Sequence, residues 1–407
     1  MAIDWKRTDV THVLTAQMVS QTNLGATVGT LEGVDWASSN IEAAYYTDLR
    51  TSGKLVVIGD GWVRGSFIRI IHSIPEFGFK ETLGTYVVTD DDAELENGVW
   101  RYELELQSTL VMLKDDLLKD PWPIKKGSKA LKAMKDVLGS SGAHSMRSAL
   151  ADFGGAEGSS AVTIDDSLAD DVPASTALVL ESGKSRLECF FALCSMSQNR
   201  IDVKPDGYIA VRRRVRHSSK APKFRFDLED PRGIVVDGSV SRSTDWLSVP
   251  DTIIVEHSFD VEVEDGTYDR KTTDKDGTVH PKGSKKYKTE QRTIRAVAKT
   301  PTGPHSVKKR GYSIAEVQQV ENVVPHTLAR ASQVAAELVK NASQHTTWEI
   351  DTTYVPLWEG DVVELVVHDG VKEYRGVRKC LVQNVDIDLG SMLMSLTLKE
   401  LDGTEDD

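Results

Sequence analysis

Val99-Trp100-Arg101-Tyr102-Glu103-Leu104-Glu105-Leu106-Gln107-Ser108 is the stretch from which the fold can be read. Trp100, Tyr102, Leu104 and Leu106 alternate with Arg101, Glu103, Glu105 and Gln107. Successive side chains of a strand point to opposite faces, so this pattern predicts a half-buried β-strand. Upstream, Thr85-Tyr86-Val87-Val88-Thr89 predicts its partner, joined to it through an acidic turn at Asp90-Asp91-Asp92. The pattern returns near the C-terminus. Cys380-Leu381-Val382-Gln383-Asn384-Val385 leads through Asp386, Asp388 and Gly390 into a strand from Met392 to Glu400. There Met392, Met394, Leu396 and Leu398 alternate with Leu393, Ser395, Thr397 and Lys399. A long half-buried hairpin must pack against other strands, as in a barrel or sandwich. Two of them predict two similar β domains with other material between; what they share is a pattern, not a sequence.

Composition sets the outer limits. A chain of 407 residues is too long for one core and predicts two to four domains. It is 40% hydrophobic and 27% charged, which is ordinary for a soluble globular protein. No stretch approaches the roughly 18 to 20 apolar residues that span a bilayer. Met1-Ala2-Ile3-Asp4-Trp5-Lys6 has neither the apolar core nor the cleavage site of a signal peptide. Cys189, Cys194 and Cys380 are too few for a disulfide framework and are expected as buried thiols in a chain folded in a cytoplasm. The net charge of −13 argues against nucleic-acid binding by phosphate neutralisation. It is compatible with DNA passing by, because a wall of like charge repels the duplex.

Four regions follow along the chain. Residues 1–108 are strand-rich, with Lys54–Ile58 and Trp62–His72 separated by the hairpin signal Gly59-Asp60-Gly61. Residues 109–200 are helical. Ser128 is expected to cap a helix with Ala130, Leu131, Met134, Val137 and Leu138 on one face, ended by Gly139. A flexible Gly/Ser/Ala-rich connection follows from Ser140 to Ser160. Ser185 opens another helix, with a stripe of Leu187, Phe190, Phe191 and Cys194. Residues 201–345 form an α+β region. It begins with the hairpin Arg200–Val211 around the type I turn Lys204-Pro205-Asp206-Gly207. It continues with strands Asp251–Glu264 and Arg292–Ala298, and with a helix after Pro325 that buries Leu328, Val334, Ala335 and Leu338. The polar insertion Asp265–Glu290 is expected as an exposed loop. Residues 346–407 are strands again, with a disordered tail from Asp402.

The search for chemistry is nearly empty. A full phosphate-cradling Gly-x-x-x-x-Gly-Lys-Thr/Ser loop, a His-Glu-x-x-His and a Cys-x-x-Cys are all missing. Val236-Asp237-Gly238-Ser239-Val240 lacks the second glycine of a nucleophile elbow. Cys189 is read as a core thiol rather than a nucleophile. His257 with Asp260 and Glu262 is read as solvated strand residues rather than a metal site. Asp90-Asp91-Asp92 fits an acidic turn better than a cation site. In Val211-Arg212-Arg213-Arg214-Val215-Arg216 alternation divides the arginines between two faces and no aromatic platform accompanies them, so it is not read as a nucleic-acid patch. Lys282–Arg310 is basic but interrupted by Glu290, and is read as a solvated loop. No catalytic, cofactor-binding or metal-binding residues are assigned, no cofactor is expected, and the chain is read as a non-enzyme.

Several segments resemble tail-hub proteins of long-tailed bacteriophages. They are Tyr45-Tyr46-Thr47-Asp48-Leu49-Arg50-Thr51-Ser52-Gly53, Trp62-Val63-Arg64-Gly65-Ser66 and Leu83–Thr89 in the first region. Leu187–Cys194 with its following hairpin and Ser241-Arg242-Ser243-Thr244-Asp245-Trp246 continue the likeness. Pro356-Leu357-Trp358-Glu359-Gly360-Asp361-Val362-Val363 and Cys380–Glu400 complete it, in the family's order. None is a catalytic signature, so the likeness is to an architecture.

The resemblance implies a mainly β chain with α+β parts: two tube-like β-barrel domains, N- and C-terminal, and two peripheral α+β domains. It implies a homotrimer whose six barrels make a pseudo-hexameric ring at the tail tip of the virion. That ring adapts a six-fold tail to a three-fold tip and forms the DNA-exit channel. Implied neighbours are the distal tail protein ring, the tape-measure protein and a tip fibre, spike or receptor-binding protein. Asp90, Asp91, Asp92, Glu103, Glu105, Asp386 and Asp388 are the candidate lumen- or ring-facing acids. Competing classes are a receptor- or carbohydrate-binding tail protein, for which clustered exposed aromatics would speak, a tail-associated peptidase, and the spike core of a contractile secretion machine.

Overall fold

The computed structural model describes residues 4–7, 10–20, 24–59, 67–118, 121–125, 127–129, 132–133, 162–164, 178–197, 199–213, 217–230, 233–244, 249–273, 279–300, 306–320, 323, 326–343, 346–368 and 375–401. Contacts divide the chain into two units, Met1–Asp245 with Gln344–Asp407, and Trp246–Ser343. The two hairpin regions picked out in the sequence therefore share a unit.

In the first unit β1 (Val13–Val19), β2 (Thr27–Leu31), β3 (Val34–Ala44), β4 (Thr51–Ile58), β5 (Phe67–Ile74), β6 (Phe79–Glu96) and β7 (Val99–Ser108) come first. They are followed by α1 (Val111–Asp115), β8 (Trp122–Ile124), β9 (Val162–Ile164), β10 (Leu178–Leu180), α2 (Arg186–Ser197), β11 (Asn199–Val203), β12 (Ile209–Arg213), β13 (Phe224–Asp227) and β14 (Ser241–Thr244). The second unit holds β15 (Thr252–Thr267), β16 (Thr272–Thr273), β17 (Val279–His280), β18 (Lys285–Lys299), α3 (Val307–Arg310), β19 (Ala315–Gln319) and α4 (Leu328–Ser343). The chain then returns to the first unit with β20 (Thr346–Thr353), β21 (Val362–Val367), β22 (Gly376–Asp388) and β23 (Leu393–Glu400).

The fold is mainly β, and one sheet of 13 strands dominates the first unit. Its order is β14-β20-β23-β22-β3-β4-β7-β6-β5-β1-β2, with β21 also on β22 and β13 on β21. The seam between its halves is antiparallel pairing of Asn384–Asp388 on β22 with Ala44–Asn40 on β3. The N- and C-terminal hairpins thus lie in one continuous sheet, which is not closed into a barrel among the described residues. No helix among the described residues is long and apolar enough to cross a membrane.

Both hairpins form, but the acidic turn does not. β6 runs straight through Asp90, Asp91 and Asp92, which pair with Glu105, Leu104 and Glu103. The reversal comes at Asn97 and Gly98, both left-handed with φ of 52° and 84°. A two-residue hairpin turn needs that backbone, which Asn-Gly adopts readily and an aspartate run does not specifically encode. In the second hairpin Asp386 and Asp388 likewise stay in the strand. Asp388 Oδ1 accepts the N–H groups of Gly390 and Ser391, each at 2.8 Å. Met392, expected in the strand, sits in the turn with φ 55°.

The apolar side of the sheet is a continuous core. Ile350, Leu396, Val385 and Ala43 form one buried row, and Met394, Ile387, Ile41 and Leu106 belong to the next. On β6 the ring of the fully buried Tyr86 folds back over Gly84, filling the place a Cβ would take. Around His72, which is 0% exposed, aromatic rings from both ends of the sequence meet. His72 Nε2 lies 2.9 Å from His12 Nδ1, and its ring centroid is 4.4 Å from Tyr354 and 5.7 Å from Phe79. Trp5 packs edge-on against Phe79 at 5.2 Å.

The helix expected at Ser185 is α2, and its start has a physical cause. Ser185 Oγ accepts the Glu188 N–H at 3.1 Å while Glu188 Oε2 accepts the Ser185 N–H at 2.8 Å, a reciprocal cap. Leu187, Cys189, Phe190, Leu193 and Cys194 are buried, and Cys380 is buried in β22. Arg186 is 1% exposed and donates to Asp116 Oδ2 at 2.6 Å, fixing α2 to the end of α1. Breaking such a buried pair typically costs about 3–5 kcal/mol. The turn Lys204–Gly207 closes as expected, with Gly207 N–H donating to Lys204 O at 2.8 Å. The Gly59–Gly61 hairpin signal, the helix after Ser128, the connection from 140 to 160 and the tail from 402 lie wholly or almost wholly outside the described residues.

In the second unit α4 packs Ala331, Ala335 and Val339, spaced one turn apart, on Ile253, Val255 and Ala296. Leu328, expected on that face, is 60% exposed because it is the first residue of the helix and precedes the packed turns. The insertion from 265 to 290 is not simply a loop. β15 continues to Thr267 and β18 begins at Lys285, with the small β16–β17 pair between them. Cross-strand hydrogen bonds extend the ribbon without needing a core. His257 is buried rather than solvated: its Nδ1 donates to Val320 O at 2.7 Å, leaving Nε2 to accept from His326 Nδ1 at 2.7 Å.

Gly84→Ala should destabilise the protein by about 1–3 kcal/mol by displacing the Tyr86 ring, read as a lower urea midpoint. Burial, and then His12, push His72 down to about 4. Below about pH 6.5 the unfolded chain therefore binds a proton that the folded chain does not. Stability should fall as the pH drops from about 6.5 to about 4, by on the order of 2–3 kcal/mol for this group. Urea midpoints across that range should fall less steeply in His72→Gln.

Candidate acidic sheet face

The face opposite the apolar core is polar, and the sheet register shows how its charges line up. One row runs Asp351, Ser395, Asp386, Glu42, Ser52, Gln107 across β20, β23, β22, β3, β4 and β7. The next runs Leu393, Asp388, Asn40, Lys54, Glu105, Asp90 from β23 to β6. Cross-strand partners share a face, so these residues stand side by side. Asp92 opposite Glu103, and Glu94 opposite Arg101, extend the face along the β6–β7 hairpin.

Three of these pairs are carboxylate against carboxylate: Asp386 with Glu42, Asp90 with Glu105, and Asp92 with Glu103. Like charges directly opposite destabilise a sheet, so each needs relief. Asn40 Nδ2 donates to Asp386 at 3.2 Å and to Glu42 at 3.3 Å. Lys54 Nζ lies 2.6 Å from Glu103 Oε2 and Arg101 Nη1 2.7 Å from Oε1. Hydrogen bonds from Lys54 and then Arg101 hold the Glu103 carboxyl below the usual carboxylate range. Gln107 donates to Glu105 at 3.0 Å, and Ser395 donates to Asp351 at 2.6 Å. These donors are how the face tolerates its facing carboxylates.

Six of the seven acids singled out in the sequence share this face: Asp90, Asp92, Glu103, Glu105, Asp386 and Asp388. Asp91 does not, because it pairs with the buried Leu104 and points to the apolar side. Sequence reasoning missed Glu42 and Asp351, although each sits in a short alternation, Ile41-Glu42-Ala43 and Ile350-Asp351-Thr352. Such an array offers no reaction. Among the described residues no group of three or more His, Cys, Asp or Glu is placed to hold a metal ion. Its chemical effect is repulsion of polyanions near the surface.

One side of this array is unpaired. β6 pairs with β5 through Phe79–Tyr86 and with β7 through Tyr86–Glu96, so the outer side of Val87–Glu96 has no strand against it among the described residues. At the other end β14 is likewise an edge. Acidic side chains along β6 discourage indiscriminate strand addition there.

No protein-family model and no curated protein sequence matches the chain. Solved structures do. A tail protein from Neisseria meningitidis MC58 aligns over 96% of this chain and 96% of its own, with a TM-score of 0.61 at 13% identity. The 43 kDa tail protein of prophage MuSo2 from Shewanella oneidensis covers 95% of this chain and 96% of its own, with a TM-score of 0.58 at 11% identity. Prophage tail protein gp18 from Listeria monocytogenes EGD-e covers 95% and 94%, with a TM-score of 0.54 at 11% identity. At such identities the likeness is one of fold, and it extends over nearly the whole length of all four chains. This chain has the fold of phage tail proteins, as the resemblance of its sequence to tail hubs implied.

Proposed function

We propose that this chain is a structural subunit of a phage-type tail: a homotrimeric hub at the distal end of the tail tube, adapting six-fold to three-fold symmetry around a DNA-exit channel. The observation that carries the proposal is the acid-rich polar face, which crosses the β22–β3 seam at Asp386 and Glu42 and so includes strands from both halves of the chain. A duplex held at a distance by like charge can slide where a basic wall would bind it. The two halves of the sheet correspond to the two tube-like barrel segments of each subunit. A head-to-tail contact between the free side of β6 in one copy and β14 in the next would propagate the sheet, and three copies would close it into a ring. Closure removes both edges.

The hub is a non-enzymatic virion component at the tail tip. Its neighbours are a distal tail protein ring, the end of a tape-measure protein, and a fibre, spike or receptor-binding protein. DNA passes without specific binding.

Electron microscopy with mass measurement by light scattering tests the assembly. A three-fold ring around an axial pore is expected, with the acidic face inward; peripheral copies around tails without a pore would refute a hub. Charge reversal tests the channel. Glu42→Lys, Glu105→Lys and Asp386→Lys combined should leave tails assembled yet slow genome delivery by roughly tenfold or more, most strongly at low salt. Asp388 is unsuitable for this test because it also caps the turn at Gly390 and Ser391. Unchanged delivery kinetics in the triple variant would rule out an inward acidic face.

A further inference from the structure

The first unit contains a pocket of about 400 Å³ whose chemistry is opposite to that of the acidic face. It is walled by the β3–β4 corner, by the β11–β12 hairpin and by the loop around Gly360. On the hairpin, Arg200 and Arg212 are direct cross-strand partners, so two guanidinium groups leave the sheet on one face side by side. Like charges in that position repel and call for a counter-anion. Asp202 is engaged by Arg200, whose Nε donates to it at 2.5 Å. Asp361, on the opposite wall, is engaged by Lys223 Nζ at 2.8 Å and by the Trp358 N–H at 2.9 Å. Arg212 forms no ion pair among the described residues. Lys220 enters the same space with one donor on Gly360 O at 2.9 Å.

We propose that this pocket binds an oxyanion of the phosphate class between Arg212, Lys220 and Arg200. The guanidinium fork and the ammonium group match a tetrahedral oxyanion with several acceptor oxygens. The surroundings support a shortage of negative charge. Burial, and then Arg200, hold Lys220 below the ordinary lysine range, with a smaller push from Arg212 and with Asp361 and Asp202 opposing. Burial, Lys220 and Arg200 push His217 down to about 4, so it is neutral at pH 7. Burial raises Glu359 to about 7 despite Arg200, so near neutrality this carboxyl can supply a hydrogen-bond donor instead of a competing charge. Tyr45 braces the site: its ring centroid lies 4.4 Å from the Arg200 guanidinium carbon and its hydroxyl 2.8 Å from His217 Nε2. The cavity exceeds one phosphate group, leaving room for an organic substituent. The proposal does not depend on the chain being a tail hub.

Calorimetric titration of the intact protein with sodium phosphate, at constant ionic strength in chloride, tests it. One saturable site is expected, with Kd at or below about 1 mM. Arg212→Ala and Lys220→Met should each weaken it by roughly tenfold or more, while Lys54→Ala, on the acidic face and not in the pocket lining, should leave it unchanged. Arg212 is exposed, so its variant is expected to fold even if Lys220→Met does not. Glycerol 3-phosphate binding as well as or better than phosphate would identify an esterified phosphate as the ligand; preference for phosphate would identify the free ion. The absence of a saturable signal with both probes, or affinity untouched in Arg212→Ala, would overturn the site.

Discussion

Everything in the first unit depends on the register of one antiparallel seam, Asn384–Asp388 against Ala44–Asn40. Side chains alternate with a period of two, so a slip of one residue at the seam would turn every partner to the wrong side. Ile387 and Ile41 would leave the core, and Asp386 and Glu42 would enter it. Apolar burial on one face therefore fixes the arrangement of charge on the other. The acidic array is held in place by the same ladder that holds the core.

Much of this was legible in the sequence, but only where the signal is local. The alternation in Val99–Ser108 and in the last strand needs just a few neighbours to be read, and both strands formed. α2 was legible because Ser185 and Glu188 carry the capping chemistry within one turn. The acidic turn misled because three aspartates in a row favour turns by composition, whereas the true reversal rested on the backbone freedom of Asn97-Gly98. The bulge between Val88 and Asp90 also broke the alternation at the critical point. The seam itself had no local signal: its partners lie hundreds of residues apart, and each is an unremarkable strand by itself.

The candidate site divides in the same way. Acids in obvious hairpins could be named in advance, though not their faces, which is why Asp91 had to be separated from its neighbours. Glu42 and Asp351 escaped because membership of the array is a property of the ladder. The pocket was less legible still. Alternation divides the arginine run from 211 to 216, so it carries no signal as a run; the β11–β12 register is what sets Arg212 opposite Arg200. A net charge of −13 conceals this segregation, with carboxylates spread over a sheet face and cations gathered in a recess.

The seam also sets a timetable. Native topologies dominated by distant pairings fold slowly, because the chain must close large loops before those contacts form. During translation at about 5–20 residues per second, β3 leaves the ribosome roughly 20 s or more before β22 exists to pair with it. For that interval Ile41 and Ala43 lack their partners on β22 and the Asn40–Ala44 edge of β3 stands open. The nascent chain is then at its most vulnerable to pairing with a neighbouring copy on the same messenger, so the rate of synthesis and the availability of chaperones would govern the yield of correctly folded subunits.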